Sequence, residues 1–244
     1  MSPDIEKALA YQVKKEIAQR YFGIRKLIDE DSANVKAMIK DLNQFLEKKI
    51  APAILRIYML LMDSDLIDEF LNIIGWEGRP FIDANVAASA DARKKLLQGI
   101  HTHGWLKSSR FANLLLKSYE DLYDVYLEFD DLREDILDEL AIVEEEITQF
   151  KRNYSLDEIM SFLRGLNFDD EATVKALGKN IDSSKMGELE KKLGFPDIQS
   201  IRAEMPDVPK LPKPEAIEDQ LRDLASRVYN RHKDEIQELL EVVR

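Results

Sequence analysis

Carboxylates dominate the chemistry this sequence offers. In the run Asp130-Asp131-Leu132-Arg133-Glu134, three acids fall within little more than one helical turn. Asn180, Ser184 and Glu188 recur every four residues, the spacing that stacks side chains on one helical face. Either set presents oxygen ligands suited to one Mg²⁺. The pairs Asp121/Asp124 and Asp135/Asp138 lie about 21 Å apart along one helix and cannot share a metal. His101 and His103 project to one side of an extended segment, but a zinc site needs a third protein ligand. His232, the remaining imidazole, falls in an apolar stripe far along the chain and reads as a packed interface histidine. The Glu-x-x-His pattern of di-iron bundles is absent, because Gln98, Ile100 and Tyr229 precede the three histidines by three residues. A loop starting at Asp182 has Gly187 at the sixth position of a calcium loop, but Leu193 takes the twelfth, where a bidentate glutamate belongs. With no cysteine, thiolate sites, disulfides and thiol catalysis are excluded, and no glycine-rich phosphate loop occurs. The expectation is a chain with no resident cofactor or metal.

The first two oxygen sets carry a family resemblance. Asp130, Asp131 and Glu134 resemble the aspartate-rich motif of isoprenoid and terpene synthases, all-helical enzymes in which it holds magnesium against a diphosphate. Asn180, Ser184 and Glu188 are similar to that family's second motif, Asn-x-x-x-Ser-x-x-x-Glu. Ile181 stands where the family has an acid directly after the asparagine, and the two motifs lie closer together than the family places them. The resemblance implies a magnesium-dependent enzyme using these six residues, the alternative to the reading reached below.

Composition narrows the class. The 244 residues suffice for a real core, and with 45% hydrophobic and 34% charged residues the chain is too apolar for disorder and too charged for a membrane protein. Nine glycines and eight prolines leave long stretches unbroken, which favours helices. The opening residues lack the apolar run of a signal peptide, and the most apolar segment, 50–62, is shorter than the ~20 residues of a membrane span. The compartment expected is cytoplasmic, with no stable membrane insertion. Net charge is −12, and between Tyr119 and Phe150 thirteen acids face the single base Arg133, so this segment alone holds the whole excess. Phosphate binding needs a clustered basic surface, so nucleic acid is excluded as a partner. The acidic segment is expected to lie against more basic helices, from residues 84–118 and 1–60.

These residues must be positioned by helices. Ser2-Pro3 is a good helix start, followed by the stripe Ile5, Leu9, Val13, Ile17, Tyr21, Ile24 and Ile28. Asp29-Glu30-Asp31-Ser32 reads as a break, with Ser32 capping a second helix that Pro52 kinks or restarts. The apolar face then continues to Ile74, and Gly75 and Gly78-Arg79-Pro80 end it. A short helix is expected over 84–98. Residues 107–153 contain no Gly or Pro. There Tyr126, Phe129, Arg133, Ile136, Leu140, Val143, Ile147 and Phe150 alternate in steps of three and four, near the 3.5-residue period of a left-handed supercoil. Leu122, Val125, Leu132 and Leu137 form a second stripe. Ser155-x-x-Glu158 is a capping-box start. A weak repeat with a shift of 27 residues relates Phe162, Leu166 and Phe168 to Leu189, Leu193 and Phe195. Four prolines between Pro206 and Pro214 predict an extended linker. The last helix, from Glu215, carries Ile217, Leu221, Leu224, Val228, His232, Ile236, Leu239 and Val243.

The sequence therefore predicts an all-α protein: a long-helix, coiled-coil-like bundle over 1–153 with its acidic spine at about 107–153. A short-helix module (154–205), a proline-rich linker (206–214) and a C-terminal amphipathic helix (215–244) follow. The function that fits is a non-enzymatic helical scaffold or adaptor, pairing with a protein partner or with itself as a homo-oligomer. Its expected interface comprises Phe129, Ile136, Leu140, Val143 and Ile147 on the spine, and Leu221, Leu224, Val228, His232, Ile236 and Leu239 on the last helix. A bundle that acts on membranes through residues 50–76 is a third possibility.

Overall fold

The computed structural model describes residues 3–61, 63–81, 108–166, 172–173, 175 and 194–241, with backbone alone for 3, 108–110 and 233–241. The protein is all-α, and among the described residues there is no strand. The elements in chain order are α1 (Pro3–Phe45), one π turn (Leu46–Ile50), α2 (Ala51–Leu61), α3 (Ser64–Ile74), α4 (Ser108–Asn153), α5 (Leu156–Arg164), α6 (Ile198–Arg202) and α7 (Pro214–Glu241). The chain divides into two compact units. The first takes residues 1–40 and 134–205, the second 41–133 and 206–244, so α1 and α4 each supply residues to both.

In the first unit an aromatic knot ties α1 to α4. The rings of Tyr21, Phe150 and Phe195 lie 5.5–5.9 Å apart in tilted and edge-on pairs. Ile159, Met160 and Leu163 of α5 close over them. Ser155 caps α5 as its sequence requires, its hydroxyl accepting from the Glu158 amide at 3.4 Å. The break expected at Asp29–Ser32 is absent, and α1 runs through it. Two i,i+4 ion pairs, Arg25–Asp29 at 2.8 Å and Lys26–Glu30 at 3.7 Å, put those acids to use within the helix. Ser32 faces inward, 7% exposed, instead of capping.

In the second unit Pro52 has the expected effect. Its ring removes an amide donor and crowds the preceding turn, and the chain answers with the π turn, closed by the Ala51 amide on the Leu46 carbonyl. The helix expected to run on to Ile74 instead breaks before α3, where Asp63 is extended at φ −96°, ψ 143°. Gly75 ends α3 at φ 72°, a left-handed conformation glycine adopts without strain, and the Trp76 amide returns to the Leu71 carbonyl at 2.9 Å. Phe70 and Tyr119 meet edge-on at 6.2 Å, and Phe45 lies 6.4 Å from Phe129.

The spine forms as the sequence predicts. α4 spans 46 residues, about 69 Å at 1.5 Å per residue. Every apolar member of its three-and-four stripe is buried, and only Arg133 is half-exposed. The second stripe fades: Leu122 is buried, Val125 and Leu137 are half-buried and Leu132 is 42% exposed. The proline segment is extended as expected but is no free tether. Val208 and Leu211 are buried, and the Tyr119 hydroxyl donates to the Pro212 carbonyl at 2.7 Å. The segment is a strap packed into the core of its unit.

Candidate functional site

The magnesium-type motif lies on the wetter side of α4. Asp131 and Glu134 are exposed, and Asp130, half-buried, has its carboxylate 3.8 Å from the Arg133 guanidinium. Asn180, Ser184 and Glu188 lie outside the described residues, as do His101, His103, the loop from Asp182 to Leu193, the helix expected over 84–98 and half of the residues of the 27-residue repeat. Among the described residues no three His, Asp or Glu side chains are close enough to hold one metal ion. Also among them, no helix is long and apolar enough to cross a membrane. The spine's acids meet Lys117 and Arg133 on α4 itself and Arg202 of α6. Glu144 accepts from Arg202 at 3.2 Å and from Gln199 at 2.8 Å.

Most of the residues expected to form an interface are buried in this chain. Phe129, Ile136, Leu140, Val143 and Ile147 are at most 7% exposed, and Leu221, Leu224 and Val228 are fully buried. The physical reason is that α7 has a partner in this chain: it packs on α3. The side chains of Ile236 and Leu239 lie outside the described residues. His232 is a packed histidine, 15% exposed, and its Nε2 lies 2.8 Å from the Asp63 carboxylate.

An ionic clasp that the apolar pattern does not reveal fixes α7 on α3. Arg227 pairs bidentately with Glu69. Arg231, one turn further on, donates to Asp63 and Asp65, each at 2.9 Å. Asp63 occupies the N-cap position of α3, yet its side chain makes no capping bond there, being turned toward Arg231 and His232. At His232 the helix departs from helical geometry, with φ −112° and ψ 16°. Burial raises the Asp63 pKa, but hydrogen bonds from Arg231 and His232 outweigh it and hold the carboxyl below its ordinary range. The Arg227 hydrogen bond does the same for Glu69. Asp65 and Glu69 share a spacing of four with Arg227 and Arg231, but only the fold brings the two sets into register.

Two other features of the first unit invite a ligand. An open groove of about 580 Å³ runs beside α1 and α6, lined by Arg25, Asp29, Ser32, Lys36, Asp197 and Ser200 among others. Several of its polar groups are paired: Arg25 grips Asp29, while Asp197 caps α6 by accepting from the Gln199 amide at 3.1 Å and the Ser200 hydroxyl at 2.6 Å; the buried Ser32 hydroxyl has no hydrogen-bond partner. The other feature is a ridge on the first turns of α1, where Ile5, Leu9 and Val13 are 56%, 58% and 48% exposed.

No protein-family model, curated protein or solved structure matches this chain.

What the arrangement can do follows from this layout. Most charged groups of the clasp and of the α1–α6 groove are paired internally, and nine of the spine's thirteen acids are exposed. The apolar side chains that remain available lie on helix surfaces, and three of them line up on α1.

Proposed function

We propose that this protein is a non-enzymatic helical scaffold that works by helix-to-helix association with itself. One observation carries the reading: the ridge Ile5, Leu9 and Val13 is more than 45% exposed at every position, on the opening stretch of α1, where residues 4–14 are all exposed. Isolated exposed apolar residues are ordinary, but three in register on one helix have the form of an association surface. The spine stripe and Leu221, Leu224 and Val228 of α7 are buried, so the surface we take for the association is the ridge on α1. The test is sedimentation velocity over a concentration series of about 1 to 500 µM, the range for a weak helical contact. A mass that rises with concentration supports the reading, and a monomer throughout removes it. Magnesium-dependent turnover of a prenyl diphosphate that disappears in Asp131→Ala would put the synthase-like alternative in its place.

A further inference from the structure

One face of α1 forms a wall of the groove beside α6. Arg25, Asp29, Ser32 and Lys36 follow at steps of four, three and four, which keeps them on one side of the helix. The opposite wall is the segment Gly194–Asp197 with Ser200, Ile201 and Glu204. All of these residues belong to the first unit. The volume, about 580 Å³, is that of a small-molecule site. Ser32 lines it at 7% exposure, and its hydroxyl, closed to water, has no hydrogen-bond partner. A buried hydroxyl left unpaired is a cost that folded chains usually avoid. Rotation about one bond moves a serine hydroxyl between staggered positions, so a ligand in the groove can engage it.

The charges of the groove sort into used and unused. Arg25 is committed to Asp29 at 2.8 Å, and Asp197 to the start of α6. Lys36 and Glu204 are exposed, and among the described residues no ion pair engages either. What remains is a hydroxyl and an ammonium one turn apart on α1, and a carboxylate just past the end of α6. We infer that the groove binds a zwitterion of the α-amino-acid type, a free amino acid or a dipeptide. Its carboxylate accepts from Ser32 and Lys36, whose Cβ atoms stand ~6 Å apart at the i,i+4 spacing. Its ammonium group meets Glu204. Its side chain lies on Phe195, Pro196 and Ala33, an apolar part of the lining. Other ligands fit less well. Three carboxylates, Asp29, Asp197 and Glu204, against the two cations Arg25 and Lys36 disfavour a phosphate. A diamine would bring a second ammonium against Lys36. For a metal ion, no three His, Asp or Glu side chains are close enough among the described residues.

This site is independent of the self-association surface, and either stands without the other. Thermal unfolding of the full chain is followed with each of the twenty L-amino acids, and with leucyl-leucine, at about 10 mM. At least one should raise the melting temperature, and calorimetry on the strongest gives its Kd. A tighter Kd for the amino acid assigns the groove to the free compound, and a tighter one for leucyl-leucine assigns it to a peptide. The N-acetyl and the amide forms of the strongest ligand, which lack one charge each, should bind at least about tenfold more weakly. Lys36→Ala and Glu204→Gln should each cause a loss of about that size, while Lys40→Ala, one turn beyond the groove, should leave binding unchanged. Ser32→Ala separates a ligand role from a packing one. In the free chain it removes an unpaired hydroxyl, so the melting temperature should hold or rise by up to about 2 °C. With ligand, it should weaken binding about tenfold. No melting shift with any of these compounds, or Ser32→Ala binding at full strength, overturns the site. A free Ser32→Ala chain that melts well below the original also overturns it, because the hydroxyl is then bonded within the fold. Putrescine raising the melting temperature more than every amino acid would make the groove a cation site and overturn it too.

Discussion

Asp63→Ala tests what holds α7 on α3. The substitution removes the carboxylate that accepts from Arg231 at 2.9 Å and meets His232 at 2.8 Å. The Asp63 side chain is 31% exposed and that of Arg231 47%, so their ion pair belongs to the partly exposed class worth about 0–1 kcal/mol. Arg231 also keeps Asp65 at 2.9 Å, which softens the loss. The His232 contact is better shielded and adds about 1 kcal/mol. No capping bond is lost, since the side chain makes none. The expected cost is about 1–2 kcal/mol. Leu224→Ala empties a site that is fully buried, at about 2–5 kcal/mol, so the apolar stripe outweighs the clasp. Urea unfolding followed by circular dichroism measures both. The pH dependence provides a second check, with the sign fixed by the lowered Asp63 pKa. A carboxylate whose folded pKa lies below its ordinary 3.8 stabilises the fold above that value and loses its contribution as pH falls through the folded one. The gap between the original chain and Asp63→Ala should therefore be full at pH 7 and shrink as pH falls below the ordinary carboxylate value of 3.8. A cost equal to that of Leu224→Ala, or a gap indifferent to pH, would refute the reasoning.

Three further outcomes follow from the strap and the spine. Tyr119→Phe should cost about 1–2 kcal/mol in urea unfolding, because the Pro212 carbonyl loses its donor beside a buried ring. Leu211→Ala, 3% exposed in the parent, should cost about 2–4 kcal/mol by the same measurement, and a value near zero would return the strap to the status of a tether. Ser118→Ala should be neutral or stabilising by up to about 1 kcal/mol in thermal unfolding, because the Ser118 hydroxyl is buried with no hydrogen-bond partner.

Local signals carried well into the fold, and long-range ones did not. The spine expected over about 107–153 is the helix Ser108–Asn153, and Ser155 caps the next one. Both rest on information within a few residues: the absence of Gly and Pro, a repeating period and a capping box. Ser32 misled because a cap residue followed three acids, although the i,i+4 spacing of Arg25 with Asp29 and of Lys26 with Glu30, which keeps those acids helical, was there to be read. The break before α3 had a local sign in Asp63-Ser64, where a good cap residue stands at a helix start, but the apolar periodicity across it is unbroken. The strap was legible as extended because proline fixes the backbone. Its burial was not, because that depends on Tyr119, 93 residues earlier. The clasp pairs Asp63 with Arg231 across 168 residues, a separation at which charge spacing gives no register until the fold supplies one.

The two long helices differ in how their apolar stripes step, and that difference separates a packed face from an open one. On α4 the steps alternate between three and four, averaging about 3.4, so the stripe drifts by only about 17° per step, less than half the rate on α1. It is buried from Tyr126 to Phe150 but for Arg133. On α1 the first four steps are all of four residues, and the stripe winds around the helix faster than a single packing partner can follow. The core takes it at Tyr21 and has lost it by Val13. Both stripes look equally amphipathic when apolar residues are merely counted. The step lengths set them apart: one stripe is buried but for Arg133, while the other carries Ile5, Leu9 and Val13 past the reach of its own core.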